Sequence, residues 1–282
     1  MYWVIPTLVA LFITIFKEIF KKNVLKHCEP IQFIIIFYAS MFLFAQVTID
    51  RIVLPTAGEF LLIIGATICY IVANLLGVKV LKEIRISVFK PVSALSAVFV
   101  VLFAVLFLNE SFTRIQAFGI ILALLPISYI SLIEYQRREI DFKHAGYLLV
   151  ALVFESVAVI FDRIILRTVN VYTYFYFLKL LLIISFIIIM YAFYDCRITK
   201  SYLKKQSFLI GLLAFATTIG AYAYFFAMSD PQASAGVIKV IISSSLVFTT
   251  LLGGYYFKED HILLKGTMAA VSLIGIIFLV LS

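Results

Sequence analysis

The sequence predicts an all-α integral membrane protein with about ten transmembrane helices. Of its 282 residues, 64% are hydrophobic and 13% are charged, whereas soluble domains are about 45–50% apolar and about 25% charged. The apolar residues form ten runs, and about 20 apolar residues are enough to cross a bilayer as a helix. Strands of a membrane barrel need only about 9–11 alternating residues, so these runs indicate helices.

The ten runs are bounded by charged or turn residues and leave only short connections. The first run lacks the basic segment of a cleavable signal, and it is expected to be a retained span. No room remains for a separate soluble domain. The predicted spans are 2–20, 30–49, 58–80, 87–108, 114–133, 145–166, 171–191, 207–228, 234–257 and 262–281.

The second half of the sequence weakly repeats the first. When the fourth and fifth spans are laid on the ninth and tenth, Lys90 falls on Lys239, Phe99 on Phe248 and Glu110 on Glu259. We therefore predict two five-helix repeats, residues 1–135 and 142–282. Because five is odd, the second repeat enters the membrane with the opposite orientation, and such inverted repeats are typical of secondary transporters.

The distribution of basic residues predicts the orientation of the bundle. Most Lys and Arg residues fall in the odd-numbered connections, including the cluster 17–26, the pair 137–138 and the lysines at 200, 204 and 205. The even-numbered connections hold only Arg51, Arg114, Arg163 and Arg167. The positive-inside rule makes the odd connections cytoplasmic and places both termini outside.

The segment 108–119 (LNESFTRIQAFG) resembles a signature of the EamA-like family of the drug/metabolite transporter superfamily. In that signature a glutamate ends the fourth span, here Glu110, and Gln116 and Gly119 follow it. Residues 245–259 resemble the same element in the second half. There Lys265 and Met268 stand where the glutamine and glycine are expected, whereas Gly275 fits a later glycine of the pattern.

The resemblance implies a transporter of metabolites such as amino acids, sugars or nucleotide sugars. It also implies a cavity built from the first, third, fourth, sixth, eighth and ninth spans, and termini in the cytoplasm. That orientation is the reverse of the one predicted from the basic residues. We expect a multi-pass protein of a prokaryotic plasma membrane that moves a small anionic or zwitterionic metabolite by alternating access.

The deepest charges in the predicted spans are Glu155 and Lys179. Charges at the centre of a span are costly and normally face a cavity or a partner. Two interpretations stay open for Glu155: a structural ion pair with Lys179 on the next span, or a substrate or proton-coupling site.

Lys90 and Lys239 occupy equivalent positions near the ends of their spans. They either extend to the lipid headgroups or bind an anionic substrate, one near each membrane face. Polar side chains on the expected cavity-lining spans add further candidate substrate ligands: Tyr70, Asn74, Ser93, Ser96, Thr217, Thr218, Tyr222, Ser243 and Ser244.

Enzymatic and metal-binding motifs are missing from the sequence. It contains no HExxH, GxSxG, P-loop or GxGxxG pattern, and its three cysteines have no metal-ligand spacing. We therefore expect no enzyme, no metal and no cofactor. Expected partners are a small-molecule substrate, lipid and a proton or counter-substrate, but not nucleic acid. A membrane-embedded enzyme, a channel and a structural membrane component are the alternatives.

Overall fold

A computed structural model describes residues 2–25, 29–83, 93, 95–136, 142–193, 200–245, 247–249 and 262–281. Within these ranges every regular element is helical, as predicted. The ten α-helices follow the ten predicted spans in order: α1 (Val4–Leu25), α2 (Pro30–Ala45), α3 (Ala57–Glu83), α4 (Ser96–Leu108), α5 (Arg114–Gln136), α6 (Phe142–Ile165), α7 (Val171–Phe193), α8 (Lys200–Ser229), α9 (Ala235–Ser243) and α10 (Ile262–Leu281). A 3₁₀ helix (Gln46–Arg51) continues α2.

The composition of these helices makes the chain an integral membrane protein. Four helical segments are long and apolar enough to cross a membrane: Pro30–Arg51, Ala57–Glu83, Val171–Phe193 and Phe208–Ser229. Shorter apolar segments lie in α1, α4, α5, α9 and α10. Phe12, Leu61 and Phe107 are 64%, 68% and 65% exposed, so large apolar side chains cover the outer surface, as expected for helices in contact with lipid.

Local side-chain chemistry sets where the helices begin and end. Thr56 and Glu59 satisfy each other's backbone N–H groups at the start of α3. Thr113 and Gln116 do the same at the start of α5, with N···O distances of 3.0 and 3.2 Å. Both are capping boxes, which explains the position of the signature glutamine. Asn109 ends α4 in the left-handed conformation (φ 52°), which asparagine tolerates better than most residues.

Hydrogen bonds define two ends of the bundle. At the first, which we call end A, the connections after α2, α4, α6 and α8 meet: Arg51 contacts Tyr172, and Glu110 contacts Ser234. At the other, end B, the start of α2 meets the end of α3 through a Lys82–Glu29 ion pair (3.0 Å). The start of α6 also lies there, because His144 contacts Glu83 at the end of α3.

The most extensive helix contacts follow a regular pattern. Exchanging each of the first five helices with the helix five places later turns every one of these contacts into another observed contact or leaves it unchanged. The contact α3–α6 becomes α8–α1, α2–α8 becomes α7–α3, and α4–α6 becomes α9–α1. The contacts α5–α10, α2–α7 and α4–α9 are unchanged.

Helices α5 and α10 pack closely against each other at Gly119 and Gly275. A Cβ atom added at Gly275 would lie 2.6 Å from the backbone nitrogen of Ala123 and 2.9 Å from the carbonyl oxygen of Gly119. Nearby, the Ser272 hydroxyl donates to the Ala123 carbonyl at 3.2 Å. Small residues of this kind let membrane helices touch through their backbones.

We predict that Gly275→Ala lowers the thermal unfolding temperature of the purified protein. The added methyl group meets backbone atoms that cannot rotate away, and overpacking of this kind costs about 1–3 kcal/mol. Gly211→Ala is the matched control, since nothing lies within 4 Å of its added Cβ. A Gly275→Ala protein that unfolds at the wild-type temperature would contradict the close packing of α5 on α10.

Candidate functional site

A cavity of about 350 Å³ lies inside the bundle between the two halves of the chain. Every helix from α1 to α9 except α5 contributes to its wall, so α2 and α7 join the expected helices. The lining extends toward end B, to Lys21 near the end of α1 and Leu148 near the start of α6. On the end A side it stops at Val159, Tyr224 and Phe225.

Among the described residues the cavity wall contains four lysines and one glutamate. The lysines come from α1, α7 and α9, and Glu155 comes from α6. The remaining polar lining consists mostly of hydroxyl groups. The charged residues are Lys17, Lys21, Lys179, Lys239 and Glu155; the polar ones are Thr14, Tyr38, Tyr70, Asn74, Ser93, Ser96, Thr217, Tyr224, Ser243 and Ser245.

The ion pair in the cavity joins Glu155 to Lys239, with 2.7 Å between Oε1 and Nζ. The Lys239 side chain is 11% exposed and the Glu155 side chain 38%. The Glu155–Lys179 pair, which was one of two sequence-based interpretations, is therefore wrong. Helix α9 packs close enough to α6 to supply the partner, and the Lys239 ammonium is directed at the carboxylate.

Lys179 is buried on α7 and is held by aromatic rings. Its Nζ lies 5.1 Å from the ring centroid of Tyr38 and 5.1 Å from that of Phe175. An ammonium over the face of an aromatic ring is attracted by the ring quadrupole. This contact accounts for a lysine in the middle of an apolar helix without an adjacent carboxylate.

Six other candidate ligands also line the cavity: Tyr70, Asn74, Ser93, Ser96, Thr217 and Ser243. The Asn74 side chain is oriented by two hydrogen bonds. It accepts from the Tyr38 hydroxyl at 3.0 Å and donates to the Tyr70 carbonyl at 2.7 Å. Its amide is therefore held in a fixed position against the cavity.

The structure does not place Thr218, Tyr222 or Ser244 in the cavity wall. Thr218 is buried and donates to the Ala214 carbonyl at 2.8 Å, while its neighbour Thr217 faces the cavity. Tyr222 shares a hydrogen bond with Thr48 (2.9 Å). Ser244 is buried and donates to the Val240 carbonyl at 3.1 Å. Lys90 lies outside the described residues.

Sequence reasoning missed the two cavity lysines of α1. Lys17 and Lys21 were assigned to a basic connection, but α1 continues to Leu25. Ala10, Thr14, Lys17 and Lys21 recur at intervals of three and four residues, and that spacing places side chains on one face of a helix. The periodicity was the signal that could have identified them.

Asp162 lies beyond the end A side of the cavity and is surrounded by tyrosines. It is fully buried. Tyr70 of α3, Tyr174 of α7 and Tyr224 of α8 all donate hydroxyl hydrogen bonds to its carboxylate. Two of these donors, Tyr70 and Tyr224, also line the cavity. We call these four residues the Asp162 cluster; they form the floor between the cavity and end A.

Arg163 secures the connection between α8 and α9 at end A. Its buried guanidinium donates to the carbonyls of Met228, Asp230 (2.8 Å), Pro231 (3.4 Å) and Ala233. These carbonyls belong to the end of α8 and the turn that follows, where the helix itself offers no donors. The guanidinium of Arg163 supplies the hydrogen-bond donors that these carbonyls would otherwise lack.

Glu110 connects the first half of the chain to the start of α9. Its carboxylate accepts from the Ser234 hydroxyl (2.6 Å) and the backbone N–H groups of Ala235 (2.9 Å) and Gly236 (3.4 Å). A negative charge at a helix N-terminus is stabilised by the unpaired N–H groups there. The signature glutamate is thus a helix cap that joins the two halves.

Hydrogen bonds between the two halves close end A. Arg51 donates to the Tyr172 hydroxyl at 2.6 Å, the Asn170 amide donates to the Arg51 carbonyl at 3.0 Å, and the Val53 N–H donates to the Thr173 hydroxyl at 2.9 Å.

In the described ranges, no group of three or more His, Cys, Asp or Glu residues could hold a metal ion.

Comparison with known proteins supports the resemblance found in the sequence. Residues 1–132 match the model of the EamA-like transporter family, which is part of the drug/metabolite transporter superfamily. No curated protein matches the sequence. A solved crystal structure superimposes with a TM-score of 0.76 over 99% of this chain and 96% of its own, at 13% sequence identity. At that identity the likeness shows a shared fold.

We predict that Arg163→Lys destabilises the protein. One ammonium group cannot reach four carbonyls, and each buried polar group left unsatisfied costs about 1–3 kcal/mol. Arg167→Lys is the matched control, because Arg167 is exposed. Thermal unfolding of the two variants in lipid nanodiscs tests the assignment. Equal unfolding temperatures would show that Arg163 does not secure the α8–α9 connection.

Proposed function

We propose that the protein is a secondary transporter that moves a small anionic or zwitterionic metabolite by alternating access. The observation that carries this proposal is the cavity of about 350 Å³ between the two halves of a membrane protein, lined by lysines and hydroxyl groups. A cavity of that size fits a small metabolite. The EamA-like match of residues 1–132 supports the same class of function.

The charge of the wall favours an anionic group on the substrate. The described lining residues include four lysines and one glutamate. The wall therefore has a net positive charge and attracts negatively charged groups. Within the membrane an ammonium that faces a cavity is available to a carboxylate or phosphate. Glu155 could meet the amine of a zwitterion if its contact with Lys239 opened. These two residues, with Lys179, are the proposed charged ligands.

Neutral polar groups add hydrogen-bonding partners for the same substrate. Tyr38, Tyr70 and Tyr224 offer hydroxyl groups on rings that also supply apolar surface, and Asn74 offers an amide. Tyrosine hydroxyls both donate and accept. The proposed cargo is therefore a compact metabolite with at least one anionic group and an apolar portion. Lys90 stays a predicted ligand.

The connections at the two ends of the bundle support alternating access. The cavity extends toward end B, while hydrogen bonds between the halves close end A. The exchange symmetry of the helix contacts supports the division into the repeats 1–135 and 142–282. We propose that the halves rock about the cavity, as inverted repeats do in other transporters.

The orientation in the membrane is also proposed. Among the described residues, Lys79 and Lys82 lie near the end of α3 at end B, and the positive-inside rule makes that end cytoplasmic. In this proposed orientation the end toward which the cavity extends faces the cytoplasm, and both termini are outside. We propose a prokaryotic plasma membrane as the location.

We predict that the purified protein in proteoliposomes takes up an anionic or zwitterionic probe but not a cationic one. The probes are succinate, glutamate, glycerol 3-phosphate and phenylalanine, with choline as the cationic probe. The lysines of the cavity should attract the first group and exclude the last. Uptake of choline alone, or of none of the five, would contradict the proposal.

Lys239→Gln and Glu155→Gln should each reduce uptake of the transported probe about 10-fold or more. Loss of a charge-assisted hydrogen bond costs about 1.5–3 kcal/mol, and about 1.4 kcal/mol corresponds to a factor of ten. The control is Arg114→Gln, an exposed arginine at the start of α5. Each variant is checked for folding by thermal unfolding. Folded Lys239→Gln and Glu155→Gln proteins with wild-type uptake would exclude the pair from the substrate site.

A further inference from the structure

Asp162 is a buried carboxylate that hydrogen bonds hold in place without an ion pair. Its Oδ1 accepts from the Tyr174 hydroxyl. Its Oδ2 accepts from Tyr70 at 2.6 Å and from Tyr224 at 3.1 Å. In the part of the chain that the structure describes, no Lys, Arg or His nitrogen lies within ion-pair distance of it.

The charged groups near Asp162 are engaged elsewhere. Lys179, on α7, attracts it electrostatically, but its ammonium lies over aromatic rings. Arg163, the next residue on α6, donates to the α8–α9 connection. Glu155 of α6 and Lys239 of α9 pair with each other.

The other titratable group facing Asp162 from α3, besides Tyr70, is the thiol of Cys69. Of the helices packed against α6, α3 and α8 therefore supply only neutral titratable groups to the cluster, and α9 supplies a lysine that is already paired. Among the described residues, no neighbouring cation forms an ion pair with this carboxylate. A proton could therefore neutralise it.

Proton binding would change the hydrogen bonds of the cluster in a defined way. The ionised carboxylate accepts all three hydroxyl hydrogens. When a proton bonds to Oδ2, that oxygen becomes a donor and loses acceptor capacity, so one tyrosine hydroxyl must accept this hydrogen and direct its own hydrogen elsewhere. Tyr70 and Tyr224 are the two hydroxyls at Oδ2, and both residues line the cavity. The redirected hydroxyl hydrogen therefore belongs to one of those two and points into the cavity.

The Tyr70 hydrogen bond also joins the two halves of the chain. Tyr70 is on α3, and Asp162 is on α6. The bond lies in the floor that separates the cavity from end A. Its change from a charge-assisted to a neutral hydrogen bond would weaken the floor and present a hydroxyl hydrogen to the substrate at the same time.

We propose that Asp162, with the hydroxyls of Tyr70, Tyr174 and Tyr224, is the proton-binding site that couples substrate movement to a proton gradient. The proposal rests on the proposed transport function. It replaces Glu155, the sequence-based candidate for proton coupling, with Asp162. Glu155 is paired with a lysine at 2.7 Å, so its negative charge is already compensated.

Infrared difference spectroscopy of the full chain in lipid nanodiscs, titrated with pH and without substrate, tests the site directly. A carboxyl group that is protonated in an apolar environment gives a separate carbonyl band. The band should grow as pH falls in the wild type and in Glu155→Gln, and it should be lost in Asp162→Asn. A band unchanged in Asp162→Asn, or the absence of any such band in the wild type, would overturn the proposal.

The tyrosines give a second test that a purely structural carboxylate would not pass. Tyr70→Phe and Tyr224→Phe each remove a hydrogen bond to the ionised form, so the titration midpoint should move to higher pH by about one unit. Tyr172→Phe, whose hydroxyl contacts Arg51, should leave it unchanged. Midpoints that do not respond to the first two changes, or that shift with sodium concentration at constant ionic strength, would exclude a proton site.

The coupling role is separable from the proposed transport function. With a probe that the wild type takes up, an imposed pH gradient should drive accumulation of that probe, and Asp162→Asn should lose it. Accumulation that persists in Asp162→Asn would overturn coupling through this residue while leaving transport intact. Failure of every probe in the wild type would instead overturn the transport function, and the spectroscopic band would still show whether Asp162 binds a proton.

Discussion

The whole arrangement depends on one constraint: a charged group inside the hydrocarbon of a membrane needs a partner, and no water is available to serve as one. In this bundle several of these partners come from other elements of the chain. Glu155 on α6 meets Lys239 on α9, Asp162 on α6 meets tyrosines on three helices, and Arg163 holds the turn between α8 and α9. The polar contacts therefore determine which helices surround the cavity.

The same contacts connect structure to the proposed function. Packing at Gly119 and Gly275 holds α5 against α10 by backbone contact, which leaves the other helices to form the cavity. Contacts that are only structural, such as those of Glu110 and Arg163, join backbone groups at end A. The contacts that face the cavity are between pairs of side chains. A ligand or a proton can take the place of either side chain in such a pair. Breaking one of these leaves a charge to be satisfied, which in the proposed mechanism links substrate binding to movement of the halves.

The fold could be predicted from the sequence because lipid imposes long apolar runs, and those runs gave ten helices in the right order. The site was predicted only in part. Glu155, Lys239 and Asn74 were identified because polar groups inside apolar spans are conspicuous. Which face of a helix a residue occupies depends on packing between helices, and for that reason Tyr222 was assigned to the cavity wrongly. Asp162 was overlooked because its position near the end of a span gives no sign of its burial.

We propose that the cavity is reached from one face of the membrane while hydrogen bonds close the other. Thr217→Cys, placed in the cavity wall of a variant whose three native cysteines are replaced, can be labelled with an impermeant maleimide in vesicles of either orientation. Glu29→Cys marks end B and Arg167→Cys marks end A, since both residues are exposed. The account predicts that Thr217→Cys reacts from the Glu29 face and not from the Arg167 face. Labelling from both faces at equal rates, as in an open channel, or from the Arg167 face alone, would contradict it.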